Sequence, residues 1–252
     1  MQQKKIIFLA SDCESSRWVY HALQKNFSIE AAIIETPISK KVLIKNRLKK
    51  IGVLKVTGQI LFSALVVPVL KSKAKKRKAE LINMYNLQQA DYNSSNTTRV
   101  NSVNDEACLN LLNKLQPNIV VVNGTRIISK KILESTNCIF INMHVGITPM
   151  YRGSHGGYWA LYNNDAANFG TTIHQIDAGV DTGAIIKQVF TSPSKEDNFT
   201  TYPILQTVIG IAALKETITS LLADNMHISL HAQKGNMYYQ PTIWQYLAGP
   251  VC

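Results

Sequence analysis

Two polar residues sit at the end of a short apolar run, Ile139-Phe-Ile-Asn-Met-His144. Asn142 and His144 are two positions apart, so an extended backbone turns both side chains to the same side. Downstream, Thr171-Thr-Ile-His-Gln-Ile-Asp-Ala-Gly-Val-Asp-Thr-Gly183 places His174 on a second strand-like run. That run leads into a loop holding Asp177 and Asp181, with Gly179 and Gly183 permitting close backbone approach to a flat ligand. An amide, an imidazole and a carboxylate can divide the work of acyl transfer. The amide is a neutral donor for an oxygen that becomes negative, and losing such a donor costs about 10²–10³ in rate. The imidazole is a second donor when cationic and a proton acceptor when neutral. The carboxylate orients it and relays protons through a water. Taken singly, a histidine of this kind is usually structural and an Asp-x-x-Gly cluster is a turn former, so the weight lies in order and spacing.

The elements that must position these groups read as a doubly wound α/β fold. Lys4–Ala10 is an apolar strand, followed by the loop Ser11-Asp-Cys-Glu-Ser-Ser16, a helix to about Lys25 and a strand over Ile29–Glu35. Continuous rather than alternating apolar strands imply a mostly parallel, twisted sheet covered on both faces by helices. Asn118–Val122 and Cys138–Asn142 repeat the signal, with a helix over Ser129–Ser135 between them. The carboxyl ends of such strands open on a ligand crevice, which is where Asn142 and His144 stand. After the polar loop Ser192–Thr201, Tyr202–Leu222 reads as a long helix with Pro203 in its first turn. Ile228–Gln233 and Asn236–Gln240, joined at Lys234-Gly235, then read as a hairpin. Residues 1–191 are thus expected to form the main domain, with 192–252 a small helix-and-hairpin extension.

A chain of 252 residues with 46% hydrophobic content can bury a substantial core. Its net charge of +11 is concentrated: 13 Lys and Arg and no acidic residue lie between Lys40 and Lys78, while the remainder carries 14 basic and 16 acidic residues. Residues 40–95 interrupt the α/β rhythm as a basic helical insertion centred on Gly58-Gln-Ile-Leu-Phe-Ser-Ala-Leu-Val-Val-Pro-Val-Leu70. One reading is a helix pair packed on the body with solvated lysines outside. The rival is weak contact of residues 40–78 with an anionic membrane surface, since lysine-flanked apolar residues suit an interfacial helix. No specific nucleic acid is expected, because Phe62 is the only aromatic residue between positions 40 and 80. No uninterrupted 18-residue apolar run is evident, and the N-terminus reads straight into a strand without a leader. The expectation is a cytoplasmic protein, at most peripheral to the inner face of the membrane, with a homodimer compatible but unspecified. Cys13, Cys108, Cys138 and Cys252 form no CxxC pair and suggest neither a disulfide framework nor a zinc site.

The order Asn142-x-His144, Thr148-Pro-Met-Tyr-Arg-Gly153, then Gly170-Thr-Thr-Ile-His-x-x-Asp-x-Gly-x-Asp-Thr-Gly183 resembles the folate-dependent formyltransferases. That family includes methionyl-tRNA, glycinamide ribonucleotide and nucleotide-sugar formyltransferases. The resemblance covers residues 105–190 well, is weaker before residue 40 and is absent across the insertion. It implies the Rossmann-like formyltransferase fold, N10-formyltetrahydrofolate as formyl donor, no metal, and Asn142, His144 and Asp181 as the catalytic set. It also implies that Arg126, Ile127 and Ile128 form the loop whose main chain takes the pterin ring, with Asp177 and Gly179 completing the folate site. Tyr151, Arg152, His155 and His174 are candidate acceptor contacts. His174 is equally a buttress for Asp181, and the turn Gly153–Gly157 around His155 either presses its backbone on ligand or simply packs.

The acceptor is approached by exclusion. The loop Ser11–Ser16 has no glycine and carries two carboxylates, unlike the phosphate cradle of glycinamide ribonucleotide enzymes. The residues after Thr191 leave little room for the C-terminal barrel that methionyl-tRNA enzymes add, and the N-terminus leaves none for the regulatory domain of formyltetrahydrofolate hydrolases. The expectation is a stand-alone enzyme acting on the amine of a nucleotide-linked amino sugar in surface-polysaccharide biosynthesis. The alternatives are another small amine, amino-acid or hydroxyornithine-like, or a catalytically silent folate-binding module.

Overall fold

The computed structural model describes residues 4–225 and 235–249. The first half runs β1 (Ile6–Ser11), α1 (Glu14–Gln24), β2 (Ile29–Glu35), α2 (Lys40–Leu61), a π-helical turn (Phe62–Val66), α3 (Val67–Lys73), α4 (Lys75–Met84), β3 (Thr97–Val100) and α5 (Glu106–Leu115). It continues with β4 (Ile119–Asn123), α6 (Lys130–Leu133), β5 (Ile139–His144), β6 (Tyr151–Gly153), α7 (Gly156–Tyr162), β7 (Gly170–Gln175) and β8 (Ile185–Phe190). The end comprises α8 (Tyr202–Leu222), β9 (Asn236–Tyr238) and α9 (Ile243–Ala248).

Strands β1 and β4 are buried along their whole length, as their unbroken apolar sequences require. Seven strands form one sheet in the order β3-β2-β1-β4-β5-β7-β8. The first five are parallel, and β7 and β8 run antiparallel to their neighbours. The chain winds outward from β1 to β3 and then returns to lay β4 beside β1, so the crevice of a doubly wound sheet opens at the carboxyl ends of β1 and β4. Alternation along each strand feeds two cores. Phe8, Val121 and Ile141 face a cluster with Tyr20, Leu23, Phe169 and Leu214. Ile7, Leu9, Val120 and Val122 face another with Cys108 and Leu112. Helix α8 packs across β7 and β8, where Gln206 Nε2 donates to the Gly170 carbonyl (2.6 Å) and its own carbonyl accepts from Thr171 Oγ1 (2.7 Å).

The insertion is helical, beginning where Ser39 Oγ accepts from Val42 N–H at 3.4 Å. Gly52, at φ +80°, breaks α2 in a conformation that costs a glycine nothing. Phe62 seals the insertion to the body, fully buried against Phe199 and Tyr246 at ring separations of 5.0 and 5.2 Å. Gln59 Nε2 donates to the Gln240 carbonyl (2.7 Å), and Arg77 binds Asp197 through two hydrogen bonds (2.9 and 3.2 Å). Two helical stretches have the length and composition to cross a membrane, contrary to the expectation of no such run. The uncharged stretch between Lys55 and Lys71 carries the first of them past the interruptions of polar Thr57, Gln59 and Ser63. Tyr202–Leu222 is a core helix, 61% buried over its most apolar window, whereas the corresponding window of Lys40–Lys73 is 22% buried at a mean hydropathy of 1.9.

At the C-terminus, β9 pairs in parallel with β6, Tyr151 opposite Asn236 and Gly153 opposite Tyr238. The strand expected at Ile228–Gln233 lies outside the described residues. Cys13, Cys108 and Cys138 are free thiols.

Candidate functional site

The antiparallel pairing of β5 with β7 sets the centre of the site. Asn142 stands opposite His174 and His144 opposite Thr172, so the amide and the second imidazole are direct cross-strand neighbours. Asn142 Nδ2 lies 3.1 Å from His174 Nε2. His174 Nδ1–H donates to the Gln175 carbonyl at 2.8 Å, so Nε2 lies between the Asn142 amide and Asp181, accepting from the amide when bare and donating to the carboxylate when it carries a proton. His144 is buried; its Nε2–H donates to the Tyr151 carbonyl at 2.8 Å, and its Nδ1 faces Asp181 Oδ2 at 3.4 Å.

Asp181 arrives from the β7–β8 loop in the left-handed region, φ +51°, which an aspartate tolerates better than most residues and which marks a position held by its surroundings. Asp177 Oδ1 organises that loop by accepting from Gly179 N–H (2.9 Å) and Thr182 Oγ1 (2.6 Å). The result puts Asp181 between both imidazoles, with His174 Nε2 at 3.5 Å from Oδ1 and Gly153 N–H donating to Oδ2 at 2.9 Å. Burial by itself would raise the Asp181 carboxyl. The charge of His144, the His174 hydrogen bond and the Gly153 N–H outweigh it and hold the group down at about 2.

Asn142, His144, His174 and Asp181 line one cavity of about 490 Å³. Arg126, Ile127, Ile128, Asp177 and Gly179 line it too, so the expected catalytic and folate-binding residues share a single wall. The Arg126 side chain is bonded to the protein itself. Its Nε donates to Glu35 Oε2 (2.6 Å) and its Nη2 to the carbonyls of Thr36 and Asn101 (both 3.0 Å), while its main-chain N–H goes to Glu35 Oε1 (2.8 Å). Asn104 holds the far side of the loop, donating to the Ile127 carbonyl and accepting from Ser129 N–H, both at 2.8 Å. Ile128 is buried and Ile127 half-exposed, so the loop offers an apolar edge beside its main chain.

Three of the four candidate acceptor contacts lie off the cavity wall. Tyr151 is buried and gives its hydroxyl to Asp165 (2.7 Å), and Arg152 Nη2 donates to the Gly235 carbonyl (2.6 Å). His155 packs its ring on Phe199 at 4.5 Å; desolvation first, and then the Arg47 guanidinium, push it down to about 4, so it is neutral at pH 7. The Gly153–Gly157 turn packs closely at its α7 end, while Gly153 and Ser154 line the cavity. A Cβ on Gly156 would meet Gly146 Cα at 2.6 Å, and one on Gly157 would meet Gln206 Oε1 at 2.5 Å. Gly179 and Gly183 likewise make room for the protein itself: their Cβ positions lie 1.9 Å from Thr182 Oγ1 and 1.7 Å from the Gln175 carbonyl oxygen.

Glu35 and Asn104 are the residues that sequence reasoning missed. The signal for Glu35 was a carboxylate ending the apolar run Ile29-Glu-Ala-Ala-Ile-Ile-Glu35; it is buried and also accepts from Val103 N–H at 3.1 Å. Lys50 of the insertion, together with Met237, Tyr238 and Tyr239 around β9, forms another part of the wall.

Comparison with known proteins bears on the fold and the family. The methionyl-tRNA formyltransferase of Thermodesulfovibrio yellowstonii is 34% identical over 140 residues, 55% of this chain and 44% of that protein. That of Trichormus variabilis is 36% identical over 118 residues, 46% and 35% respectively. The chain therefore spans less than half the length of these curated relatives. Among solved structures, a sugar N-formyltransferase from a Shewanella species superposes with TM-score 0.57 at 17% identity, covering 93% of this chain and 76% of that one. Phosphoribosylglycinamide formyltransferase from Anaplasma phagocytophilum gives 0.59 at 14%, covering 94% and 100%. A sugar 3N-formyl transferase solved with dTDP and 5-N-formyl-THF gives 0.52 at 19%, covering 92% and 68%. At these identities the structures speak to the fold, whereas the sequence pattern defining the formyl transferase family matches residues 5–202. By that match, which takes in both the crevice-forming strands and the loop that carries Asp181, the chain belongs to the formyl transferase family.

Proposed function

We propose that this protein moves a formyl group from N10-formyltetrahydrofolate to the primary amine of a nucleotide-linked amino sugar. The observation that carries the reading is the convergence of Asn142, His144 and Asp181 on one cavity beside the Arg126–Ile128 loop. The bound folate supplies the formyl group; positioning and proton handling fall to the chain. Asn142, oriented by its bond to His174, has a second amide hydrogen to aim at an oxygen gaining negative charge. His144 is anchored on the Tyr151 carbonyl and makes its other bond to Asp181 only when Nδ1 carries the proton. A carboxyl held near 2 is ionised at neutral pH and a poor proton store. Asp181 therefore relays a proton from the attacking amine to the departing nitrogen through a water, without keeping it.

The acceptor assignment rests on the cavity's outer wall. Lys50 supplies a cation for phosphate, and Tyr238 and Tyr239 supply aromatic surface for a base. The loop after β1 is unsuited to phosphate: Asp12 is bound to Arg17 (3.1 Å) and Arg99 (2.7 Å), and Glu14 to Lys78 (2.7 Å). The neighbour solved with dTDP and 5-N-formyl-THF holds the kind of ligand pair this reading requires. The test is a panel of amino-sugar nucleotides and simple amines with N10-formyltetrahydrofolate, followed by absorbance of released tetrahydrofolate. One amino-sugar nucleotide should turn over. Asp181→Asn should lose at least about 10²-fold in rate with folate affinity within a few-fold. Unaltered turnover in that variant rejects the catalytic assignment, and folate binding without turnover on any amine identifies a silent module.

A further inference from the structure

The insertion turns a wide apolar face to solvent. Val56, Gln59 and Phe62 bury one side of the helix, while Leu54, Thr57, Leu61, Ala64, Leu65 and Pro68 are exposed at the three- and four-residue spacing of a single helix face. Leu54 is 75% exposed and Leu65 58%, far beyond the scattered apolar exposure of an ordinary surface. No charged residue lies between Lys55 and Lys71, and lysines crowd both flanks. Of the 13 Lys and Arg in residues 40–78, only Lys76, Arg77 and Lys78 form ion pairs among the described residues.

We propose that this face docks on an anionic lipid bilayer. The helix lies in the plane of the interface, with Leu54, Leu61 and Leu65 among the acyl chains and the flanking lysines against acidic headgroups. Charge selects this occupant. A symmetric contact between two copies would bring the same unpaired cations face to face, which lipid phosphates neutralise and a second copy does not. Anchors on the body exclude a spanning arrangement, because crossing the bilayer would withdraw Phe62 from Phe199 and break the Gln59–Gln240 bond. Lys50, which lies across the Gly52 break from Leu54, lines the same cavity as Asn142 and Asp181.

The test uses the full chain and needs no acceptor. Sedimentation with phosphatidylglycerol–phosphatidylcholine vesicles should recover the protein at low salt, with partitioning weakened roughly tenfold or more by high salt or by pure phosphatidylcholine. The double variant Leu54→Asp, Leu65→Asp should also lose roughly tenfold or more. Because both side chains face solvent, its thermal midpoint should stay within about 2 °C of the parent. Failure of the intact chain to bind, equal binding to neutral vesicles, or undiminished binding by the double variant overturns the proposal. So does light scattering that shows a dimer dissolved by the same substitutions in a protein that ignores vesicles. Formyl transfer enters none of these readouts, so this proposal and the catalytic one fail separately.

Discussion

Glu35→Gln is the sharpest probe of how the Arg126–Ile128 loop is held. The carboxylate accepts three hydrogen bonds, from Arg126 N and Nε (2.8 and 2.6 Å) and from Val103 N (3.1 Å), in a position 1% exposed. Glutamine keeps one oxygen. If that oxygen stays on Arg126 N, its amide nitrogen is set against two donors, Arg126 Nε and the Val103 N–H. Hydrogen bonds to a charged partner are each worth about 1.5–3 kcal/mol, and a buried donor left without an acceptor costs about 1–3 kcal/mol. Arg126 is partly exposed and recovers some of its share from water, which sets the expected loss at about 3 kcal/mol. Urea unfolding at neutral pH reads that loss as a shifted midpoint with unchanged slope. Because the loop's main chain moves with Arg126, affinity for a folate analogue, followed by fluorescence titration, should fall by roughly tenfold, equivalent to about 1.4 kcal/mol. A loss under about 1 kcal/mol with unchanged affinity would refute the argument that a buried carboxylate at the end of β2 organises this loop.

Three further outcomes follow from particular contacts. Asp181 is lowered from 3.8 to about 2, and a depressed carboxyl adds stability that is full above its unfolded pKa and lost as pH falls through its folded one. Wild type should therefore exceed Asp181→Asn by roughly 2 kcal/mol in urea unfolding at pH 7, with the gap closing between about pH 4 and 2; a gap independent of pH would contradict the charge assignment. Phe62→Ala should cost about 3–5 kcal/mol and lower the thermal midpoint by roughly 10 °C, since the ring is fully buried between Phe199 and Tyr246; a change within about 2 °C would show that the insertion melts independently of the body. Gly183→Ala places a methyl 1.7 Å from the Gln175 carbonyl oxygen and must displace the loop bearing Asp181. Formyl transfer should drop more than about tenfold for a stability loss of about 1–3 kcal/mol, and unchanged kinetics would deny the loop its part in positioning.

The legible part of this protein was the part built from short-range pattern. Asn142 and His144 share a side because a strand repeats every two residues, and β1, α1, β2 and β4 follow from unbroken apolar runs and their punctuation. The placement of Asp181 was legible only through motif order, since its geometry depends on the register that sets β7 against β5. The illegible part depends on which strand neighbours which. Glu35 reaches Arg126 because β2 flanks β1 and β1 flanks β4, and no local spacing announces a contact between residues that far apart in the chain. β9 pairing with β6 is of the same kind: Asn236–Tyr238 pairs with a strand more than eighty residues earlier, where Gly153, at φ +91°, lets the Tyr238 carbonyl come within 2.3 Å of where a Cβ would sit. The glycines of the β7–β8 loop teach a related lesson. Their spacing marks backbone that something must approach closely, and the structure shows the approaching groups to be Thr182 and the Gln175 carbonyl. A glycine in a sequence thus reports crowding without naming its source. Here the crowding rigidifies the loop that delivers Asp181 to two imidazoles, so its effect on chemistry is indirect and should appear in rate before it appears in folate affinity.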